Sequence, residues 1–96
     1  MRLSSLQQQT VVRLVKETAG DGARVWLFGS RLEDHARGGD VDLLLETPRP
    51  LAWLDRARLR MQLEQHLMLP VDLVIRQQQE PWTPFQRIAR EKALEL

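Results

Sequence analysis

Asp40 and Asp42 are two aspartates at positions i and i+2 in an otherwise apolar run, Val41-Asp42-Leu43-Leu44-Leu45. If that run is a strand, both carboxylates leave the same face. Two carboxylates a few ångströms apart repel and raise each other's pKa unless a cation lies between them. Aspartate is a poor strand former, so a pair of them here needs a reason. A hard divalent cation supplies one, since Mg²⁺ takes one or two carboxylates and completes its shell with phosphate oxygens and water. The plain alternative is a solvent-facing side of an edge strand.

Gly29-Ser30, just upstream, fits the other half of such a site. A glycine after a strand lets backbone approach a ligand closely. Amides that open a helix there would point at an anion, with the helix dipole favouring its charge. The Ser30 hydroxyl can bond a phosphate oxygen, or simply cap a short helix. Arg31 and Arg37 can neutralise further charge, or stand in solvent. Anion cradle, carboxylate pair and cation together describe a nucleoside triphosphate site.

The elements around these residues follow from pattern. Ser4 and Ser5 each precede a glutamine by three, a capping-box signature, and Val11, Leu14, Val15 and Thr18 keep helical spacing, so a helix is expected over 5–18. Gly20-Asp21-Gly22 ends it. Arg24–Phe28 reads as a strand, Gly29-Ser30 as a turn or short helix, and Gly38-Gly39 as the end of a loop. Asp40–Glu46 is a second strand by alternation, with Val41, Leu43 and Leu45 on one side. A helix is expected over 51–69 and a third strand over Val71–Arg76. A last helix begins at Thr83-Pro84-Phe85-Gln86, with Thr as N-cap, Pro at the first position and Gln closing the box. The order α-β-(α)-β-α-β-α implies an α/β (α+β) domain: a small mixed β-sheet flanked by helices.

The 51–69 segment carries two apolar stripes. Trp53, Leu54, Ala57, Met61 and Met68 form one; Leu59, Leu63 and Leu67 form another, about 120–160° away. Either they make one broad core-facing surface, or the leucine stripe docks a partner. Trp26 is expected in the core and Trp82 under the last helix.

Composition narrows the function. The 96 residues allow one domain, over 1–96. No cysteine is present, which excludes thiolate metal sites and disulfides and fits a reducing cytosol, so a cytoplasmic protein is expected. Apolar runs such as Val25-Trp26-Leu27-Phe28 are far too short to span a bilayer, so no membrane association is expected, and MRLSSLQQQT holds no signal-peptide core. The net charge is +1, spread evenly over both halves, which disfavours nucleic acid as a partner. The chain has no tyrosine.

Gly29-Ser30, nine residues, then Asp40-x-Asp42 resembles the signature of the DNA polymerase β-like nucleotidyltransferases. The whole chain resembles their minimal nucleotidyltransferase (MNT) members in length and element order. Asp72, in Val71-Asp72-Leu73-Val74-Ile75, stands where that family has a third carboxylate, and Phe85–Glu91 is similar to its ending. The resemblance implies that Asp40, Asp42 and Asp72 hold one or two Mg²⁺ ions and act in catalysis. It implies that Gly29, Ser30 and Arg31 seat the phosphates of ATP, and that Asp72 lowers the pKa of an acceptor hydroxyl or takes its proton. Similar MNT proteins are antitoxins paired with a small all-helical HEPN-domain RNase, commonly encoded next door. Some transfer AMP to a tyrosine of that toxin. The resemblance thus implies a protein adenylyltransferase in a hetero-oligomer. The alternative is a catalytically weak antitoxin that neutralises its partner by contact.

Overall fold

The computed structural model describes residues 3–29 and 40–96. Helix α1 (Ser5–Ala19) starts at a complete capping box. The Gln7 amide donates to Ser4 Oγ at 3.1 Å, and the Ser4 amide to Gln7 Oε1 at 2.7 Å. Gly20, at φ +102°, closes the helix by donating its amide to the Lys16 carbonyl. Strands β1 (Arg24–Phe28) and β2 (Val41–Thr47) pair antiparallel. Helix α2 (Trp53–Leu67) then crosses back to β3 (Val71–Gln77), which lies parallel to β2. Helix α3 (Pro84–Glu91) is capped as its sequence predicts, by Thr83 and Gln86.

A final two-residue strand, β4 (Leu94–Glu95), pairs antiparallel with β1. Sequence pattern does not announce it, because two residues cannot display an alternation. Glu95 is fastened by both carboxylate oxygens to Arg24, each at 2.8 Å. The sheet order is β3-β2-β1-β4. The mixed sheet flanked by helices agrees with the expected fold class.

Strand alternation divides the sheet into two faces. Val25, Leu27, Val41, Leu43, Leu45, Val71 and Leu73 point into a core shared with α1 and α2. Trp26, Phe28, Asp42, Leu44, Asp72 and Arg76 lie on the other face, which α3 partly covers. Trp26 is buried there, as expected, and the Arg90 guanidinium of α3 sits 4.8 Å from its ring centre. Trp82 is half-buried, stacks on the Arg76 guanidinium at 4.2 Å and lines a shallow cleft with Arg87, Arg90 and Glu91 of α3.

Helix α2 requires a correction. Its leucine stripe is core: Leu59 and Leu63 are fully buried, and Leu67 nearly so. It is not available for docking. The other stripe faces outward, with Trp53 80% and Met68 83% exposed. Two polar ties set this rotation. Arg56 donates to the Leu73 carbonyl at 2.9 Å, and Glu64 accepts from the Val71 amide at 2.9 Å. Both fasten α2 to β3 in the phase that turns Leu59, Leu63 and Leu67 inward. The helix is also shorter than the expected 51–69. Ala52 is extended, and Met68 turns left-handed at φ +58°. Among the described residues, no helix is long and apolar enough to cross a membrane.

Candidate active site

The site lies at one end of the sheet, where β1 ends and β2 and β3 begin. Register brings Asp42 opposite Phe28 on one side and opposite Asp72 on the other. All three side chains leave the face away from the main core. Asp40 immediately precedes β2, and its carboxyl lies within hydrogen-bonding reach of Asp72. The three expected carboxylates are therefore gathered from two parallel strands.

The electrostatics are those of crowded like charges. The contact with the Asp72 carboxyl, together with its charge, raises the Asp40 pKa; Arg60 on α2 offsets part of this. The Asp42 pKa is raised first by burial, then by the charges of Asp72 and Asp40. Each group thus holds its proton more tightly than a free aspartate does. Among the described residues, no three acidic or histidine side chains already stand in a closed metal-binding arrangement. The Asp42 carboxylate lies directly beside Gly29.

Gly29 adopts φ +79°, in the left-handed region. A Cβ at this position would lie 3.2 Å from Asp42 Cγ and closer still to Oδ2. Glycine is needed here twice, for its backbone conformation and for the space its missing side chain leaves to the carboxylate. Ser30, Arg31 and Arg37 fall outside the described residues, as does the expected short helix after Gly29.

Beside Gly29 a cleft of about 720 Å³ runs between the end of β1 and α3, lined by Phe28, Gly29, Phe85, Ile88, Ala89, Glu91 and Lys92. Sequence pattern did not single it out. Phe85 and Ile88 have the spacing of a helix's core face, yet they are 58% and 69% exposed.

The hard oxygen donors of Asp40, Asp42 and Asp72, two with raised pKa values, fit a divalent cation, which would offset both the burial of the Asp42 charge and the repulsion among the three. The family model of the nucleotidyltransferase domain matches residues 9–96. The chain belongs to the nucleotidyltransferase domain family. Its activity class is nucleotidyl transfer, and its resemblance to the minimal members is borne out. It is 30% identical to a provisionally assigned minimal nucleotidyltransferase, with a TM-score of 0.75 over 100% of this chain and 97% of that one. It also superposes on a structure of the tri-AMPylated Shewanella oneidensis HEPN toxin in complex with MNT antitoxin. There the TM-score is 0.74 at 19% identity, covering 97% of this chain and 71% of the other. The toxin–antitoxin MntA–HepT matches with a TM-score of 0.60 at 22% identity, over 75% and 55% of the two chains. At such identities these two establish likeness of fold. No curated protein matches the chain.

Proposed function

We propose that this nucleotidyltransferase is the antitoxin of a HEPN-type toxin and inactivates it by transferring AMP from ATP to a tyrosine hydroxyl. The observation that carries the proposal is the gathering of Asp40, Asp42 and Asp72 beside the left-handed Gly29. The fold shared with an MNT antitoxin whose HEPN partner is AMPylated supports a HEPN-type protein as the acceptor.

Asp40, Asp42 and Asp72 hold one or two Mg²⁺ ions, which supply charge neutralisation for the triphosphate and for the departing pyrophosphate. The Gly29 turn lets the phosphates approach the backbone, and Ser30 and Arg31 would add a hydroxyl and a guanidinium to hold them. Asp72 takes the proton of the acceptor hydroxyl as that oxygen bonds to the α-phosphorus. The bond from the α-phosphorus to the bridging oxygen breaks, and pyrophosphate leaves. A phenol suits this chemistry, since its pKa of about 10 lies well below that of an aliphatic hydroxyl. None of the 96 residues is a tyrosine, so a phenolic acceptor lies outside them.

The test is incubation with ATP, Mg²⁺ and a HEPN-type partner protein, followed by intact mass. Stepwise gains of one adenylyl group on that partner are expected, and none with Asp42→Ala. A second reading, neutralisation by contact alone, draws on the exposed apolar stripe of α2 (Trp53, Leu54, Met61 and Met68). It prevails if the partner gains no mass and Asp42→Ala still neutralises it fully.

A further inference from the structure

The cleft between β1 and α3 sits against the carboxylate site without being needed by it. Phe28 stands directly across the β1–β2 pair from Asp42, on the same sheet face. Gly29 belongs both to the cleft wall and to the contact with the Asp42 carboxylate. The cleft and the Asp42 carboxylate thus have Gly29 as a common neighbour. One wall is α3, where Phe85 and Ile88 stand one turn apart and present mostly exposed apolar surface. They contribute little to seating α3 on the sheet, which Ala89, buried, and Arg90, over the Trp26 ring, do instead. Glu91 and Lys92 add a carboxylate and an ammonium to the lining.

We infer that this cleft is the nucleoside pocket, in which the base of the nucleoside triphosphate lies against Phe85 and Ile88. The inference rests on the nucleotidyltransferase reading of the carboxylates and deepens it. Three features select a nucleoside over other occupants. The cleft adjoins the site that would hold the triphosphate, sharing Gly29 with it. Its volume falls within the range usual for small-molecule pockets. It combines an aromatic ring and a branched aliphatic side chain, against which a flat base can stack, with a cation suited to phosphate and a carboxylate able to accept from ribose hydroxyls.

The experiment is calorimetric titration of the full chain, in Mg²⁺, with α,β-methylene-ATP and separately with inorganic tripolyphosphate. Stacking on one aromatic ring is a large part of single-base affinity, so Phe85→Ala should weaken the analogue about ten-fold or more. Ile88→Ala should weaken it by less. Both should leave tripolyphosphate affinity unchanged, and Phe85→Trp should retain analogue binding. Melting curves should match wild type, because both side chains are exposed. Unchanged analogue affinity in Phe85→Ala overturns the pocket. So does an equal loss for both ligands, or a variant that loses only its protein partner. A wild-type chain that binds neither ligand overturns the reading of the carboxylate site itself.

Discussion

Replacing Gly29 with alanine should separate the two demands placed on that position. At φ +79° an alanine pays about 1–2 kcal/mol in the left-handed region. Its methyl group, 3.2 Å from Asp42 Cγ, must also push that side chain away from its preferred rotamer, at about 0.5–1.5 kcal/mol. Against these stands a gain of about 0.4–1 kcal/mol from a stiffer unfolded chain. The net loss is about 0.5–3 kcal/mol, or a fall of roughly 2–25 °C in Tm for a domain of this size. Gly22→Ala is the control. Its added methyl group would meet only Pro48, at 3.7 Å, and its φ is not positive, so it should keep the unfolded-chain gain of about 0.4–1 kcal/mol.

Urea denaturation of Gly29→Ala in the wild-type and Asp42→Ala backgrounds isolates the contact. With the carboxylate removed only the backbone strain remains, so the double-mutant cycle should give a coupling of about 0.5–1.5 kcal/mol. Transfer activity, measured where the variant is fully folded, should fall by up to about a hundred-fold, since a displacement of about 1 Å at a reacting centre has effects of that size. Equal losses in the two backgrounds would refute the steric argument. A Gly29→Ala protein as stable as Gly22→Ala would refute the backbone argument as well.

Leu63→Ala should cost about 2–5 kcal/mol in urea denaturation because the side chain is fully buried, whereas Met61→Ala, on the exposed stripe, should stay within about 0.5 kcal/mol. Arg76→Ala should cost about 3 kcal/mol, because it leaves Glu46 largely buried without its 2.8 Å partner; it should also shift Trp82 fluorescence as the stacked guanidinium is lost. Asp40 and Asp42 have raised pKa values when folded, so their protonated forms favour folding: in EDTA their contribution is fully present below the unfolded carboxylate pKa of about 4 and is lost as pH rises through the raised folded values. Melting curves against pH should therefore fall more steeply for wild type than for Asp40→Asn in EDTA, and saturating Mg²⁺ should close the gap. Parallel curves with and without Mg²⁺ would show that the carboxylates do not hold the ion.

Local signals were legible wherever the determining atoms are close in sequence. The capping boxes at Ser4 and Thr83 involve residues three apart, and both form as written. The alternation around Asp42 and Asp72 gave the strands and the face they share. The phase of α2 was not legible, because both of its stripes are apolar. The choice between them is made by Arg56 and Glu64 bonding the backbone of β3, contacts that exist only once the sheet is assembled. The cleft was hidden for a similar reason. Phe85, Ile88 and Ala89 look alike in a helical pattern, and only the position of α3 over β1 decides that Ala89 packs while the other two face open space.

The pairing of β2 with β3 contains its own control for the carboxylate site. On the sheet face away from the core, Asp42 stands opposite Asp72, and four residues further along Glu46 stands opposite Arg76. At the second row opposite charges meet at 2.8 Å, and Arg76 goes on to bond the carbonyls of Gln78 and Glu80. At the first row like charges meet, an arrangement that destabilises a cross-strand pair. The same two strands therefore follow ordinary charge pairing where only stability is at stake and reverse it where β1, Gly29 and the cleft converge. A lysine or asparagine in place of Asp72 would relieve the repulsion at no cost to the register, since the side chain is exposed. Repulsion kept at the cleft end, in a pair of strands that compensates charge elsewhere, is what a site completed by a cation requires.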